Sequence, residues 1–203
     1  LLRPSNPGTN DCFGIDVSIW GDTILVGANG ESSGAIGVNG DGNDDSLIQS
    51  GAAYVYLRIN DGWYQHAYLK ASNPGINHLF GTTLAIVEDT AFIGSPWESG
   101  GSMGINGNQD LEKTYSSGAV YAFYREGSNW TQVAYIKASN TGKNDSFGAS
   151  VAFSADTLVV GAYGEASSAT GINGNQADNT MDYAGAAYVF IGINRGFLPF
   201  IAR

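Results

Sequence analysis

The sequence predicts an all-β fold assembled from three tandem copies of one 67-residue unit. Three observations carry this. First, Phe13-Gly14 recurs as Phe80-Gly81 and Phe147-Gly148, Asn39-Gly40 as Asn106-Gly107 and Asn173-Gly174, and Gly51-Ala52 as Gly118-Ala119 and Gly185-Ala186. Every spacing is 67, with no insertion or deletion, and a fixed period of this kind is the signature of a repeat architecture. Second, apolar residues alternate with period two, the period of a strand, and no helix-period segment is visible. Third, 29 Gly accompany 11 Tyr, 9 Phe and 4 Trp, the composition of a turn-rich β protein rather than a disordered chain.

The elements of one unit follow in order. Over residues 14–20, Ile15, Val17 and Ile19 point to one face, and Asp16 and Ser18 to the other. Residues 22–28 (DTILVGA) form a near-continuous apolar run, repeated as DTAFIGS and DTLVVGA, which suits a strand covered on both faces. A Gly/Asn/Ser/Asp loop fills roughly 29–50. The aromatic strand GAAYVYLR follows, then a tight turn at Asn60-Asp61-Gly62, then a fourth strand, WYQHAYLKA, and a connector to the next unit. The expectation is three four-stranded antiparallel blades of β-propeller type, spanning approximately 1–67, 68–134 and 135–203 as a single array. A sheet apolar on both faces is stable only against a neighbour.

Composition narrows the function. The formal net charge is −10 with nine Lys and Arg spread singly, so nucleic acid and anionic membrane surfaces are not expected partners. No apolar run approaches the ~18 residues of a spanning helix, so no membrane insertion is expected. Cys12 is alone, so no internal disulfide is possible. It sits at a connector position shared with Leu79 and Ser146, which reads as a small buried slot. The chain opens at Leu1 without Met or a signal sequence, the start expected of a processed or partial chain.

Candidate ligands concentrate in the long loop. Asn39, Asp41, Asn43 and Asp45 place oxygen donors at alternate positions with glycines between them, as at the start of a calcium loop. The second copy offers Asn106, Asn108 and Asp110, and the third Asn173, Asn175 and Asp178. Ca2+ is thus one reading, without the closing bidentate Glu of an EF-hand. The other is that Asn-Gly supplies positive-φ turn residues. Glu31, Glu98 and Glu165 are equivalent, just past the second strand. They are expected either to ligate a metal or, by preference, to bind backbone N–H groups of their own loop. Catalytic groups are scarce: His66 and His78 are the only histidines, and no nucleophile triad, Cys-x-x-Cys or phosphate-cradling Gly-Lys motif occurs. Trp63 and Trp130 are equivalent and expected to pack between blades, whereas Trp20 and Trp97 lie at turns or loops.

Phe-Gly, an alternating strand, and DTLVVGA closing in Gly-Ala together resemble the FG-GAP repeat, the blade of integrin α-subunit propellers and of many bacterial surface proteins. Phe13-Gly14 through Gly27-Ala28 and Phe147-Gly148 through Gly161-Ala162 carry the likeness, while the middle copy departs at Gly94-Ser95. The resemblance implies extracellular or cell-surface adhesion, recognition or assembly, without catalysis, through a protein or glycan ligand at the loop face. The integrin-type calcium cage does not carry over, because the first hairpin is too short at Trp20-Gly21-Asp22, Val87-Glu88-Asp89 and Ala155-Asp156. Three units do not close a propeller of typically 4–8 blades. The chain is therefore expected to be a fragment of a longer propeller in the first place; self-association, and with it a head-to-tail filament, is a second reading, and a carbohydrate-binding lectin-like protein is a third.

Overall fold

The computed structural model describes residues 1–111 and 114–193, and every regular element in them is a strand. The first sheet holds β1 (Val17–Trp20), β2 (Thr23–Ala28), β3 (Ala52–Ile59) and β4 (Gly62–Leu69). The second repeats it as β5 (Thr83–Val87), β6 (Thr90–Ser95), β7 (Ala119–Glu126) and β8 (Asn129–Ile136). The third contains β9 (Phe147–Ser154), β10 (Thr157–Ala162) and β11 (Ala186–Ile191). The strands pair antiparallel in chain order, as blades do. The fourth strand expected in the third unit falls on 194–203, outside the described residues.

Local chemistry accounts for the turns. The first hairpin of each blade turns through a left-handed residue, Gly21, Glu88 or Ala155, with φ of 54°, 56° and 56°. The second turns at Asn60, whose φ is 54°, a conformation that asparagine tolerates well. In the outer pair, Val55 faces Ala67 but Tyr56 faces Gln65, so His66 is the extra residue of a bulge. Val133 takes the same place in the second blade.

Two expectations need correction. The first strand begins at Val17, not at residue 14, and Ile15 lies outside it, whereas the equivalent strand of the third blade, with the same positive φ at Ser146 and Gly148, begins at Phe147. Cys12 is exposed, although its equivalent Ser146 is buried. Leu79, the third equivalent, is half-buried, so the position is not a uniformly buried slot.

Each blade has two different faces. The head face carries the larger side chains of its third strand: Tyr54 and Tyr56, Tyr121 and Phe123, Tyr188 and Phe190. Upon each such pair the Phe of the Phe-Gly motif packs edge-on, with ring centroids 5.3–6.3 Å apart. The tail face carries smaller residues, such as Leu25, Ala53, Val55 and Leu69. The tail of the first blade and the head of the second share one buried cluster, including Leu84, Ile86, Tyr121 and Phe123. Phe92, Val120 and Ala122 meet Phe147, Leu158 and Phe190 in the same way at the second joint.

Glycine makes these joints possible. A Cβ on Gly118 would lie 2.1 Å from the carbonyl oxygen of Phe147, and one on Gly51 2.0 Å from that of Phe80. Backbone touches backbone there, and isolated bridges join Gly51 to Phe80 and Gly118 to Phe147. Gly118 also holds a φ of 81°. Gly118→Ala is therefore expected to destabilise the chain by at least about 2 kcal/mol, since left-handed strain of ~1–2 kcal/mol adds to the clash. Urea denaturation measures it, and an unchanged midpoint would show that the joint opens at no cost.

Candidate functional site

The long loop between the second and third strands is not loose. Its two ends are tied by bonds from Gly51 N–H to the Glu31 carbonyl (2.8 Å) and from Leu47 N–H to that of Ser32 (2.8 Å). Its middle is pinned to the outermost strand. Asn39 N–H donates to the Tyr68 carbonyl (2.8 Å), and Tyr68 N–H donates back to Asn39 Oδ1 (2.9 Å). Asn106 and Tyr135 repeat the exchange at 2.7 and 3.0 Å. Asn39, Asn106 and Asn173 have φ of 56°, 54° and 55°, as the turn reading requires.

Beneath the loop lies a buried polar cluster. Lys70 Nζ donates to Glu31 Oε2 (2.8 Å) and to Ser50 Oγ (2.7 Å). Ser50 in turn donates to the Ser33 carbonyl (2.7 Å). In the second blade Lys137 Nζ reaches Glu98 Oε2 and Ser117 Oγ, both at 2.7 Å. Both lysine side chains are fully buried. Glu98 Oε1 also accepts from Asn73 Nδ2 (3.0 Å), Gly100 N–H (2.8 Å) and the Tyr135 hydroxyl (3.0 Å). Burial pushes the pKa of each lysine down, and its glutamate pulls it back up. In the third unit Glu165 accepts instead from Asn140 Nδ2 (3.1 Å) and Ser167 N–H (3.0 Å), and Ala184 replaces the serine.

A serine beside a lysine of lowered pKa has the composition of a nucleophile and its base. Ser50, Ser117 and both lysines are sealed from solvent, so no substrate reaches them. The cluster instead joins loop, third strand and fourth strand into one body. Glu98 and Glu165 each accept a backbone N–H of their own loop, from Gly100 and Ser167, whereas the contacts of Glu31 run to Lys70 on the segment after the fourth strand. Lys70, Lys137, Ser50 and Ser117 escaped notice in the sequence. Their recurrence at 67 residues was the available signal, but nothing local marks a lysine as buried.

The alternating oxygen donors divide. Asn39 and Asn106 spend their side-chain carbonyls on the fourth strands. Asp41 Oδ1 accepts from Asn43 N–H (3.0 Å) and Nδ2 (3.3 Å), closing an Asx turn, and Asp45 is exposed. Asn108 Oδ1 accepts from Asp110 N–H (2.9 Å), and Asn175 Oδ1 from Ala177 N–H (3.1 Å). Asp178 is held by Ser168 and Thr180, whose hydrogen bonds lower its pKa. Among the described residues no group of three or more His, Cys, Asp or Glu is arranged to hold a metal.

Several apolar side chains stand out from this polar scaffold. Ile36 and Ile48 in the first loop, and Met103, Leu111 and Tyr115 in the second, are exposed. Trp20 and Trp97 are exposed as well, whereas Trp130 is buried and Trp63 half-buried. At the opposite, hairpin end, Arg58 pairs with Asp22 and Arg125 with Asp89, and Arg125 also reaches Thr23 across the joint (3.1 Å). His66 Nε2 lies 2.9 Å from the Ser128 carbonyl of the next blade, an inter-blade contact.

Among families of known proteins, the FG-GAP repeat matches residues 2–56 and 130–190. No curated protein matches the chain.

Proposed function

The chain belongs to the FG-GAP repeat family, and from that premise we propose that it is a non-catalytic binding module, extracellular or on the cell surface, which holds its long loops rigid for a protein ligand. One observation carries the reading: exposed apolar side chains, Ile36, Ile48, Met103 and Tyr115, are mounted on loops that a buried ion pair fixes from below. Apolar contacts on a pre-ordered loop bind without the entropy cost of ordering it.

The test is selection from a displayed protein-fragment library with the wild-type chain and with Ile36→Asp/Ile48→Asp, which leaves the buried pair intact. Clones enriched by the wild type and lost by the variant support the reading. Enrichment of the same clones by both overturns the assignment to the loop face.

Trp97 and Tyr115, exposed aromatics on or beside the second loop, favour glycans as the alternative ligand, and a glycan array decides it. Calcium at Asn39, Asp41, Asn43 and Asp45 is testable on the same material. A rise in melting temperature on adding Ca2+, lost in Asp41→Ala, would place the ion there. An unchanged temperature leaves the loop's shape to its own hydrogen bonds.

A further inference from the structure

At the hairpin end, the facing sides of the first two blades do not close on each other. A cleft of about 390 Å³ opens between them, within the range of small-ligand sites, about 300–1,000 Å³. Trp20, Asp22 and Leu57 line it from the first blade, and Glu88, Asp89 and Arg125 from the second. Trp20 belongs there by register. Val17 and Ile19 lie on one face of β1, and Ser18 and Trp20 on the other. That second face is turned to the next blade, since Ser18 Oγ accepts from Ile86 N–H (3.2 Å). Trp20 nevertheless stays 48% exposed, an indole left half open on the inner side of a joint.

The polar groups around it are fixed. Arg58 Nε donates to Asp22 Oδ1 (2.6 Å) and Arg125 Nε to Asp89 Oδ1 (2.7 Å), and each Nη2 goes to that same oxygen. The Oδ2 atom of each aspartate stands outside its pair. Arg58 and Arg125 N–H also donate to the Asp22 and Asp89 carbonyls, at 2.9 and 2.8 Å. The Arg125 guanidinium lies 5.5 Å from the centroid of the Trp130 ring and reaches Thr23 Oγ1 across the joint (3.1 Å). Carboxylate acceptors and guanidinium donors thus stand next to one another with their charges compensated in pairs. Neighbouring hydroxyl groups, each both donor and acceptor, match such pairs without bringing a charge of their own. The indole offers an apolar wall for the carbon face of a ring.

The second joint lacks this set. Val87 stands in place of Trp20, Tyr124 of Leu57, Ala155 of Glu88 and Gly192 of Arg125. The backbone bridges that build the joints, Gly51 to Phe80 and Gly118 to Phe147, do recur. Packing of one blade on the next therefore does not require the residues of the cleft.

We infer that this cleft binds a neutral pyranose sugar, with the carbon face of the ring on Trp20 and adjacent hydroxyls on the Asp22–Arg58 and Asp89–Arg125 pairs. The site lies at the end opposite the long loops and is independent of what they bind.

Saturation-transfer NMR on the 203-residue chain tests this, with the methyl pyranosides of glucose, galactose, mannose and fucose each offered alone. At least one is expected to receive saturation, with a Kd on the order of 1 mM. Trp20→Val and Leu57→Tyr introduce residues that the same strand positions already hold at the second joint. Each is expected to keep the wild-type melting temperature and to weaken binding at least tenfold, and either one that does keep it decides the outcome alone. Trp97→Ala, at the loop end, is expected to change nothing. Saturation of none of the four sugars overturns the inference. So does binding that a folded Trp20→Val or Leu57→Tyr retains at full strength, including the case in which only Trp97→Ala abolishes it and the sugar belongs to the loops.

Discussion

Replacing Lys137 with methionine is expected to cost the chain about 3–5 kcal/mol, the largest effect of any single substitution considered. The methionine fills much of the same volume but leaves Glu98 buried without its cation. Glu98 keeps three neutral partners, Asn73, Gly100 N–H and Tyr135, which were placed to share a carboxylate already paired. Their hydrogen bonds do not offset the desolvation of an isolated charge. The pair as a whole is a different matter, because removing both charges leaves nothing unpaired. Lys137→Met/Glu98→Gln should therefore recover most of the loss. Urea denaturation with calorimetry measures both, and a loss of this size lowers the melting temperature by roughly 10 °C in a chain of this length. A double variant no better than the single would mean that the cost comes from packing and not from charge.

An abrupt unfolding above about pH 10 is the second large effect, and it comes from tyrosine. Burial, first of all, raises the pKa of Tyr54, Tyr68, Tyr121, Tyr135 and Tyr188, and pushes Tyr56 up to about 12. Four of these protonated hydroxyls also serve as donors. The hydroxyls of Tyr54, Tyr121 and Tyr188 donate to the Oδ1 atoms of Asn6, Asn73 and Asn140 at 3.0, 2.6 and 2.6 Å, and that of Tyr56 to the Arg3 carbonyl at 2.6 Å. A phenolate has no proton to give.

In the unfolded chain the same groups ionise near 10. Above that pH the native state holds more protons than the unfolded one, so stability falls as pH rises. Each tyrosine contributes a slope approaching about 1.4 kcal/mol per pH unit. The stabilisation is fully present below pH 10 and is lost on the way up. Lys70 and Lys137 act in the opposite sense, since their pKa values are lowered and the unfolded chain binds the extra proton up to about 10.5. Two groups do not balance six. Tyrosinate absorbance and circular dichroism should therefore change together between about pH 10 and 12. Smooth titration of all eleven tyrosines near pH 10 with the strands intact would contradict the buried assignment.

The fold was legible because its signal is periodic. A spacing of 67 identified the unit, and alternation within it located the strands. The first strand of the first blade was overextended, because Ile15 continues the apolar alternation although the strand begins only at Val17. Cys12 was misplaced for a related reason. The position is exposed at Cys12, half-buried at Leu79 and buried at Ser146, a spread that neighbours in sequence do not reveal. The loop glutamates were legible as repeated positions, and their partners were not. Lys70 lies 39 residues from Glu31, and only the folded sheet brings them to 2.8 Å.

By itself, the sequence determined the all-β class, the length and number of the units, their turns and the existence of two apolar faces on each. Those properties follow from residue type at short range and from a repeat that copies it. Tertiary structure alone decided which lysine neutralises which glutamate, which asparagine carbonyls are spent on the strand beside them, and which apolar faces meet. Those outcomes depend on where distant segments come to rest, because burial and charge pairing are properties of the space around a side chain, which its neighbours along the chain do not set.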